Sequence, residues 1–130
     1  MGYTGALPIH NSGVNLSNII GAASTACCVN TNAVITGAEA TAVLNVVQDV
    51  TPDIEDTLAS VVTKKPEFDA VFLVTGIVKD DIISLDAATD GLITCLISRT
   101  PTSHMPDATI EKDLIDTAFN TTKTAYGIPL

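Results

Sequence analysis

The side chains that most often carry catalysis are few in this sequence and are scattered along it. Histidine occurs only at His10 and His104, and His104 follows Ser103 in a stretch between two prolines. A serine hydrolase of the α/β type needs a Gly-x-Ser-x-Gly turn to expose its nucleophile, and the sequence contains none. We therefore interpret His104 as a solvated loop residue, and we predict no catalytic residue and a protein that is not an enzyme.

Metal-binding patterns are equally weak. Residues 86–91 resemble the beginning of a calcium-binding loop, with Asp86 in the first position and Gly91 in the sixth. Ala88 occupies the third position, however, and Ile97 the twelfth, where such a loop needs a bidentate glutamate. There is no Cys-x-x-Cys pair to suggest zinc. We predict neither a metal site nor a cofactor.

The three cysteines allow two interpretations. Cys27 and Cys28 are adjacent, so on a helix they point in different directions and at most one of them can meet Cys95. Either all three are small buried apolar side chains, or a disulfide joins Cys95 to Cys27 or to Cys28. Two N-glycosylation sequons, at Asn15 and Asn120, are typical of a secreted protein but are common by chance.

The composition combines an apolar chain with a strong acidic excess. Hydrophobic residues make up 46% of the chain, aromatic residues only 4%, and the net charge is −9. This charge argues against nucleic acid and against anionic membrane surfaces as partners. The most apolar run, residues 70–78, is far shorter than the ~20 residues of a transmembrane helix. We expect a soluble protein with an aliphatic interior.

The spacing of the aliphatic residues predicts an all-α single domain at residues 13–130, preceded by a flexible tail at residues 1–12. A first helix ends near residues 30–32, and Thr36 with Glu39 forms a capping box for the next. Pro52 either kinks that helix or divides it in two. The longest apolar stripe runs from about Glu67 to residue 98, and a last helix covers 107–126. Val, Ile and Thr also favour strands, but no sustained alternation of apolar and polar residues supports them.

Small residues beside aliphatic ones on the inward faces indicate space that the protein does not fill itself. A buried sixteen-carbon chain contributes on the order of 12 kcal/mol, against association costs of about 4–15 kcal/mol, so binding requires a preformed cavity. Ordinary core packing explains the same positions equally well. The periodicity predicts that the apolar wall consists of Leu44, Val47, Leu58, Val62, Phe72, Val78, Leu92, Leu96, Leu114 and Phe119.

Four stretches, in this order and spacing, resemble the hydrophobic-surface-binding protein A family of fungi, which includes cell-wall galactomannoproteins. They are Thr36 to Glu39, Thr51 to Leu58, Lys64 to Asp69, and Ile115 to Tyr126. The resemblance covers about residues 14–126 and implies a secreted bundle of about five helices around an apolar cavity. The chain departs from the family at residues 1–13, which stand in place of a complete first helix.

The resemblance also implies a function without catalysis. Members of the family bind long-chain fatty acids, such as arachidonic acid, in a central cavity of a secreted or wall-bound mannoprotein. The alternative is a structural wall protein that adsorbs to hydrophobic surfaces and recruits hydrolases to solid substrates. No motif of the family identifies the residues that hold the carboxylate, although Thr or Ser hydroxyls at a helix end could do so.

Overall fold

A computed structural model describes residues 2–29 and 33–130 of the chain. Within these ranges the protein consists of helices and connecting turns, with no strand, so the all-α prediction of about five helices is confirmed. The α-helices are α1 (Tyr3–Cys28), α2 (Gly37–Thr63), α3 (Lys65–Asp69), α4 (Val74–Ser98) and α5 (Met105–Ala125), and a short 3₁₀ helix at Thr102–His104 precedes α5.

Helix α1 begins ten residues earlier than the sequence suggested. Residues 3–12, which we expected in a flexible tail, form its first three turns, and Pro8 lies within the helix. Contacts from α4 and its neighbours hold this segment, since Ala6 is buried in the core and the His10 Nδ1 lies 2.8 Å from the Asp81 carboxylate. Glycine and proline weaken a helix, but tertiary packing overrides local propensity here. The predicted end of this helix, at residues 30–32, lies outside the described residues.

Helix α2 is one continuous helix that passes through Pro52. The predicted capping box begins it: the Thr36 hydroxyl accepts from the Glu39 amide at 3.2 Å, and the Glu39 carboxylate accepts from the Thr36 amide at 2.9 Å. These bonds satisfy two backbone donors that the start of a helix otherwise leaves without partners. The cap therefore fixes where α2 begins.

We expect Thr36→Ala to lower the free energy of unfolding by about 1 kcal/mol, because alanine cannot cap the Glu39 amide. Urea unfolding followed by circular dichroism measures the change. Thr57→Ala, at an exposed position within the same helix, is the matched control and should unfold close to the wild type. Equal losses in the two variants would contradict a capping role.

The long stripe predicted from Glu67 onward is interrupted. Helix α3 ends at Asp69, and Leu73 adopts a left-handed backbone conformation, with φ 68°, before α4 begins at Val74. The Thr75 hydroxyl donates to the Asp69 carboxylate at 2.7 Å across this turn. The change of direction leaves Phe72 85% exposed, so Phe72 does not belong to an inward helical face.

The helices pack as two pairs, and the two helices of each pair run in the same direction, since start contacts start and end contacts end. Helix α1 packs along α4, α2 packs along α5, and α4 contacts α5 between the two pairs. A first core cluster lies where α1, α3 and α4 meet the C-terminal segment: Ala6, Phe68, Val74, Val78, Ile82, Tyr126 and Ile128. A second core cluster, Leu58, Ile115 and Phe119, joins α2 to α5.

A disulfide joins Cys28, the last residue of α1, to Cys95 in α4. The two Cα atoms are 5.5 Å apart, a usual separation for a bridged pair. This is one of the pairings that the sequence left open, and it leaves Cys27 as a half-buried free thiol. The bridge ties the end of α1 to the last turns of α4.

Tyr126 anchors the C-terminal segment in the first core cluster. Its side chain is buried, and its hydroxyl donates to the Val61 carbonyl at 2.8 Å. Burial raises the pKa of Tyr126 from 10.0 to about 12. Because the unfolded side chain ionises first, the stability due to Tyr126 is complete below pH 10 and is lost as the pH rises toward 12.

We expect Tyr126→Phe to destabilise the protein by about 1 kcal/mol at neutral pH, because the hydrogen bond to Val61 is lost. The difference from the wild type should shrink as the pH rises toward 12, since phenylalanine cannot ionise. Urea unfolding at several pH values measures both effects, with the half-exposed Tyr3→Phe as control. A difference that stays constant with pH would contradict the assigned titration.

Candidate functional site

An apolar cavity of about 150 Å³ lies between α2, α4 and α5. Each helix contributes side chains spaced by three and four residues, the period that places them on one face. The apolar wall consists of Cys27, Ile35, Ala40, Val43, Leu44, Val47, Ile93, Leu96, Ile97, Ala108 and Ile115.

The second core cluster forms the inner end of the cavity. Ile115 belongs both to this cluster and to the cavity wall, and Val47 and Ile93 pack against the cluster while lining the cavity. Five polar side chains also line the cavity, and we call them the polar rim: Arg99, Thr100, His104, Glu111 and Lys112. Arg99, Thr100 and His104 lie where α4 ends and α5 begins, whereas Glu111 and Lys112 lie further along α5.

Three of the predicted wall residues, Leu44, Val47 and Leu96, line the cavity. Leu58 and Phe119 lie in the second core cluster at its inner end. Contact of any of these side chains with a ligand stays a prediction.

The other five predicted wall residues lie elsewhere. Val78 is buried in the first core cluster, while Val62 and Leu92 are half-buried outside the cavity wall. Phe72 and Leu114 are 85% and 40% exposed. Phe72 lies outside the wall because helix α3 ends at Asp69, before Phe72 is reached. Leu114 lies outside it because the side of α5 that faces the cavity carries Ala108 and Ile115.

His104 is a rim residue, not the solvated loop residue that we expected. Its Nε2 lies 2.8 Å from the Thr41 hydroxyl, and its Nδ1 lies 2.8 Å from the Ser103 hydroxyl. The Thr41 hydroxyl donates its own proton to the Gly37 carbonyl, so it accepts from His104 Nε2–H. The ring therefore joins the 3₁₀ helix to the first turn of α2, 63 residues away in sequence.

Two cationic side chains belong to the rim. The Lys112 ammonium pairs with the Asp116 carboxylate one turn later in α5, and this hydrogen bond raises the pKa of Lys112. Arg99, the residue that ends α4, donates from Nε to the Ala33 carbonyl at 3.0 Å and from Nη1 to the Cys27 carbonyl at 3.4 Å. Sequence reasoning missed both, although the spacing of Ala108, Lys112 and Ile115 places a cation on an apolar face.

Metal-binding clusters and membrane-spanning helices are absent from the described ranges. Residues 2–29 and 33–130 hold no group of three or more side chains able to ligate a metal ion. Nor is any helix among them both long enough and apolar enough to cross a membrane. The cavity with its polar rim is the candidate functional site.

The fold is similar to that of AfMp4p, whose crystal structure was determined in complex with palmitic acid. The TM-score is 0.85 at 25% sequence identity, and the match covers 93% of this chain and 78% of the AfMp4p chain. No curated protein sequence shows significant similarity. The sequence model of the family described as hydrophobic surface binding protein A matches residues 1–98, which confirms the resemblance found in the sequence. This chain therefore belongs to the hydrophobic surface binding protein A family.

Proposed function

We propose that this protein binds long-chain fatty acids in the cavity between α2, α4 and α5, without catalysis. The observation that carries the proposal is an apolar cavity with a polar rim that includes Arg99, in a fold similar to that of AfMp4p, which was crystallised with palmitic acid. An apolar wall suits an acyl chain, and a rim with cationic groups suits a carboxylate. The arrangement thus matches both parts of one amphipathic ligand.

The cavity must widen to take a full-length chain. A cavity of about 150 Å³ lined by aliphatic side chains holds a molecule of about the size of benzene. Helices α2, α4 and α5 all line the cavity, so a movement of α2 away from α4 enlarges it. Each ligand methylene that becomes buried contributes roughly 0.8 kcal/mol to binding. This gain offsets the packing energy that is lost when the helices move apart.

An extracellular site of action fits the covalent structure. Disulfides persist in oxidising compartments, and Cys28–Cys95 joins two helices of the domain. Both sequon asparagines, Asn15 and Asn120, lie at exposed helical positions. We infer that the protein acts after secretion, as a mannoprotein-type domain at the fungal cell wall or released from it.

A second function, adsorption to hydrophobic surfaces with recruitment of hydrolases to solid substrates, is favoured by a different observation. Several large apolar side chains face solvent. Among the described residues, the four most exposed lie at a helix end, in a turn and at the C-terminus: Phe72 at 85%, Leu130 at 79%, Val29 at 75% and Leu73 at 64%. Such side chains can contact an apolar solid without any opening of the bundle. This function needs no internal ligand.

Native mass spectrometry of the delipidated protein separates the two functions. With palmitic or arachidonic acid added, we expect a saturable one-to-one complex, and the relative intensities report which chain is preferred. Adsorption to polystyrene beads is measured on the same sample. Adsorption without any complex, and without displacement of a fluorescent fatty acid, would contradict the fatty-acid proposal and favour the surface-adsorbing one.

A further inference from the structure

We propose that Arg99 is the residue that binds the carboxylate of the acyl ligand, so that the ligand enters tail first toward the second core cluster. The proposal rests on the proposed fatty-acid binding and identifies the headgroup site of the same cavity. It differs from the expectation that Ser or Thr hydroxyls hold the carboxylate.

The first argument is the distribution of cations in an acidic protein. The chain has six basic and fifteen acidic side chains. Four of the six basic side chains form ion pairs: Lys64 with Glu67, Lys65 with Asp69, Lys112 with Asp116, and Lys123 with Asp86. In the part of the chain that the structure describes, Arg99 and Lys79 have no carboxylate within 4.0 Å. Of these two, Arg99 alone lines the cavity.

The second argument is the geometry of the guanidinium group. The Ala33 and Cys27 carbonyls accept from Nε and Nη1, which orients the group without neutralising its charge. A guanidinium has five N–H donors, so three remain, including both on Nη2. A carboxylate can accept from such a group through two oxygens at once. Arg99 is therefore held in place before a ligand arrives and still has donors to offer.

The third argument is that the other polar groups of the rim are already engaged. The Thr100 hydroxyl donates to the Leu96 carbonyl at 2.7 Å. Both ring nitrogens of His104 have partners, since Nε2–H donates to the Thr41 hydroxyl and Nδ1 lies 2.8 Å from the Ser103 hydroxyl. Lys112 is paired with Asp116, and Glu111 repels a second carboxylate. Arg99 is the rim group that combines an unpaired positive charge with free donors.

The position of Arg99 also fits the length of the cavity. Arg99 follows the last turn of α4, and Ile93, at the inner end, precedes it by six residues on the same helix. At 1.5 Å per residue this places the two about 9 Å apart along the helix axis. A carboxylate on Arg99 therefore directs the first carbons of the chain along the apolar wall toward the second core cluster.

The test compares two ligands with the same tail, palmitic acid and 1-hexadecanol, on the delipidated protein. We expect the wild type to bind the acid at least about tenfold more tightly, because a charge-assisted bidentate contact is lost with the alcohol. Arg99→Gln should weaken acid binding by about tenfold or more and leave alcohol binding unchanged. Lys79→Gln, which removes the other unpaired cation, is the matched control and should change neither affinity.

A second measurement needs no variant. Arg99 is the only arginine of the chain, so the protein labelled with ¹⁵N-arginine has a single side-chain Nε resonance. We expect palmitic acid to shift this resonance and 1-hexadecanol to leave it nearly in place. If both ligands bind and neither the preference nor the shift appears, the assignment of Arg99 is overturned while fatty-acid binding stands. If neither ligand binds, the proposed function itself fails.

Discussion

Ala40→Leu is expected to weaken palmitic acid binding by about 50-fold while leaving the fold intact. Ala40 is 4% exposed and lines the cavity from the first turns of α2. A leucine adds three carbons to a space of about 150 Å³, so it excludes about three ligand methylenes at roughly 0.8 kcal/mol each. Leucine is nearly as good a helix former as alanine, and burying it in an apolar cavity is favourable.

Isothermal titration of the delipidated proteins measures the affinities, and thermal unfolding reports stability. Ala42→Leu adds the same carbons to α2 at an exposed position outside the cavity wall, so its affinity should equal that of the wild type. The midpoint of unfolding of Ala40→Leu should be equal to that of the wild type or higher. Unchanged binding in this variant would place the acyl chain somewhere other than this cavity.

Helix positions that depend on local sequence were predictable, whereas those that depend on distant contacts were not. The Thr36 cap follows from two residues three apart, and the structure has it as predicted. The first turns of α1 contain Gly5 and Pro8, which locally argue against a helix. They are held by partners such as Asp81, 71 residues away from His10. No local pattern contains that information.

The same limit applies to the candidate site. Helical periodicity identifies inward faces, and it placed Leu44, Val47 and Leu96 on the cavity wall. It does not distinguish a cavity from a packed core, because that depends on how two helices are offset along their axes. Val78 has the right spacing and lies in the first core cluster instead.

The polar rim was missed for a related reason. Arg99 precedes Thr100 and Pro101, and this sequence indicates only that α4 ends there. Its role depends on carbonyl groups 66 and 72 residues earlier in the chain. The residue at the end of α4 therefore also supplies a positive charge to the cavity lining. One of the two carbonyl groups that orient the Arg99 guanidinium belongs to Cys27, next to the disulfide.

Removal of the disulfide is expected to cause the largest loss of stability. The Cys28–Cys95 bridge closes a loop with a sequence separation of 67, and a loop of this length restricts the unfolded chain by about 4 kcal/mol at 25 °C. The Cys28→Ser/Cys95→Ser double variant should therefore unfold at a much lower urea concentration than the oxidised wild type. A difference below about 1 kcal/mol would contradict a stabilising bridge.

The bridge should also matter for binding, because it lies beside the polar rim. It fixes the end of α1, and the Cys27 carbonyl from that end accepts from the Arg99 guanidinium. Under conditions where the double variant is still folded, we expect it to bind palmitic acid less tightly, with a smaller effect on 1-hexadecanol. Cys27→Ala keeps both the bridge and the backbone carbonyl and is the matched control. Because Cys27 lines the apolar wall, this variant should change the affinities for acid and alcohol alike and so retain the preference for the acid. A double variant that keeps the full preference for the acid would show that Arg99 is oriented without α1.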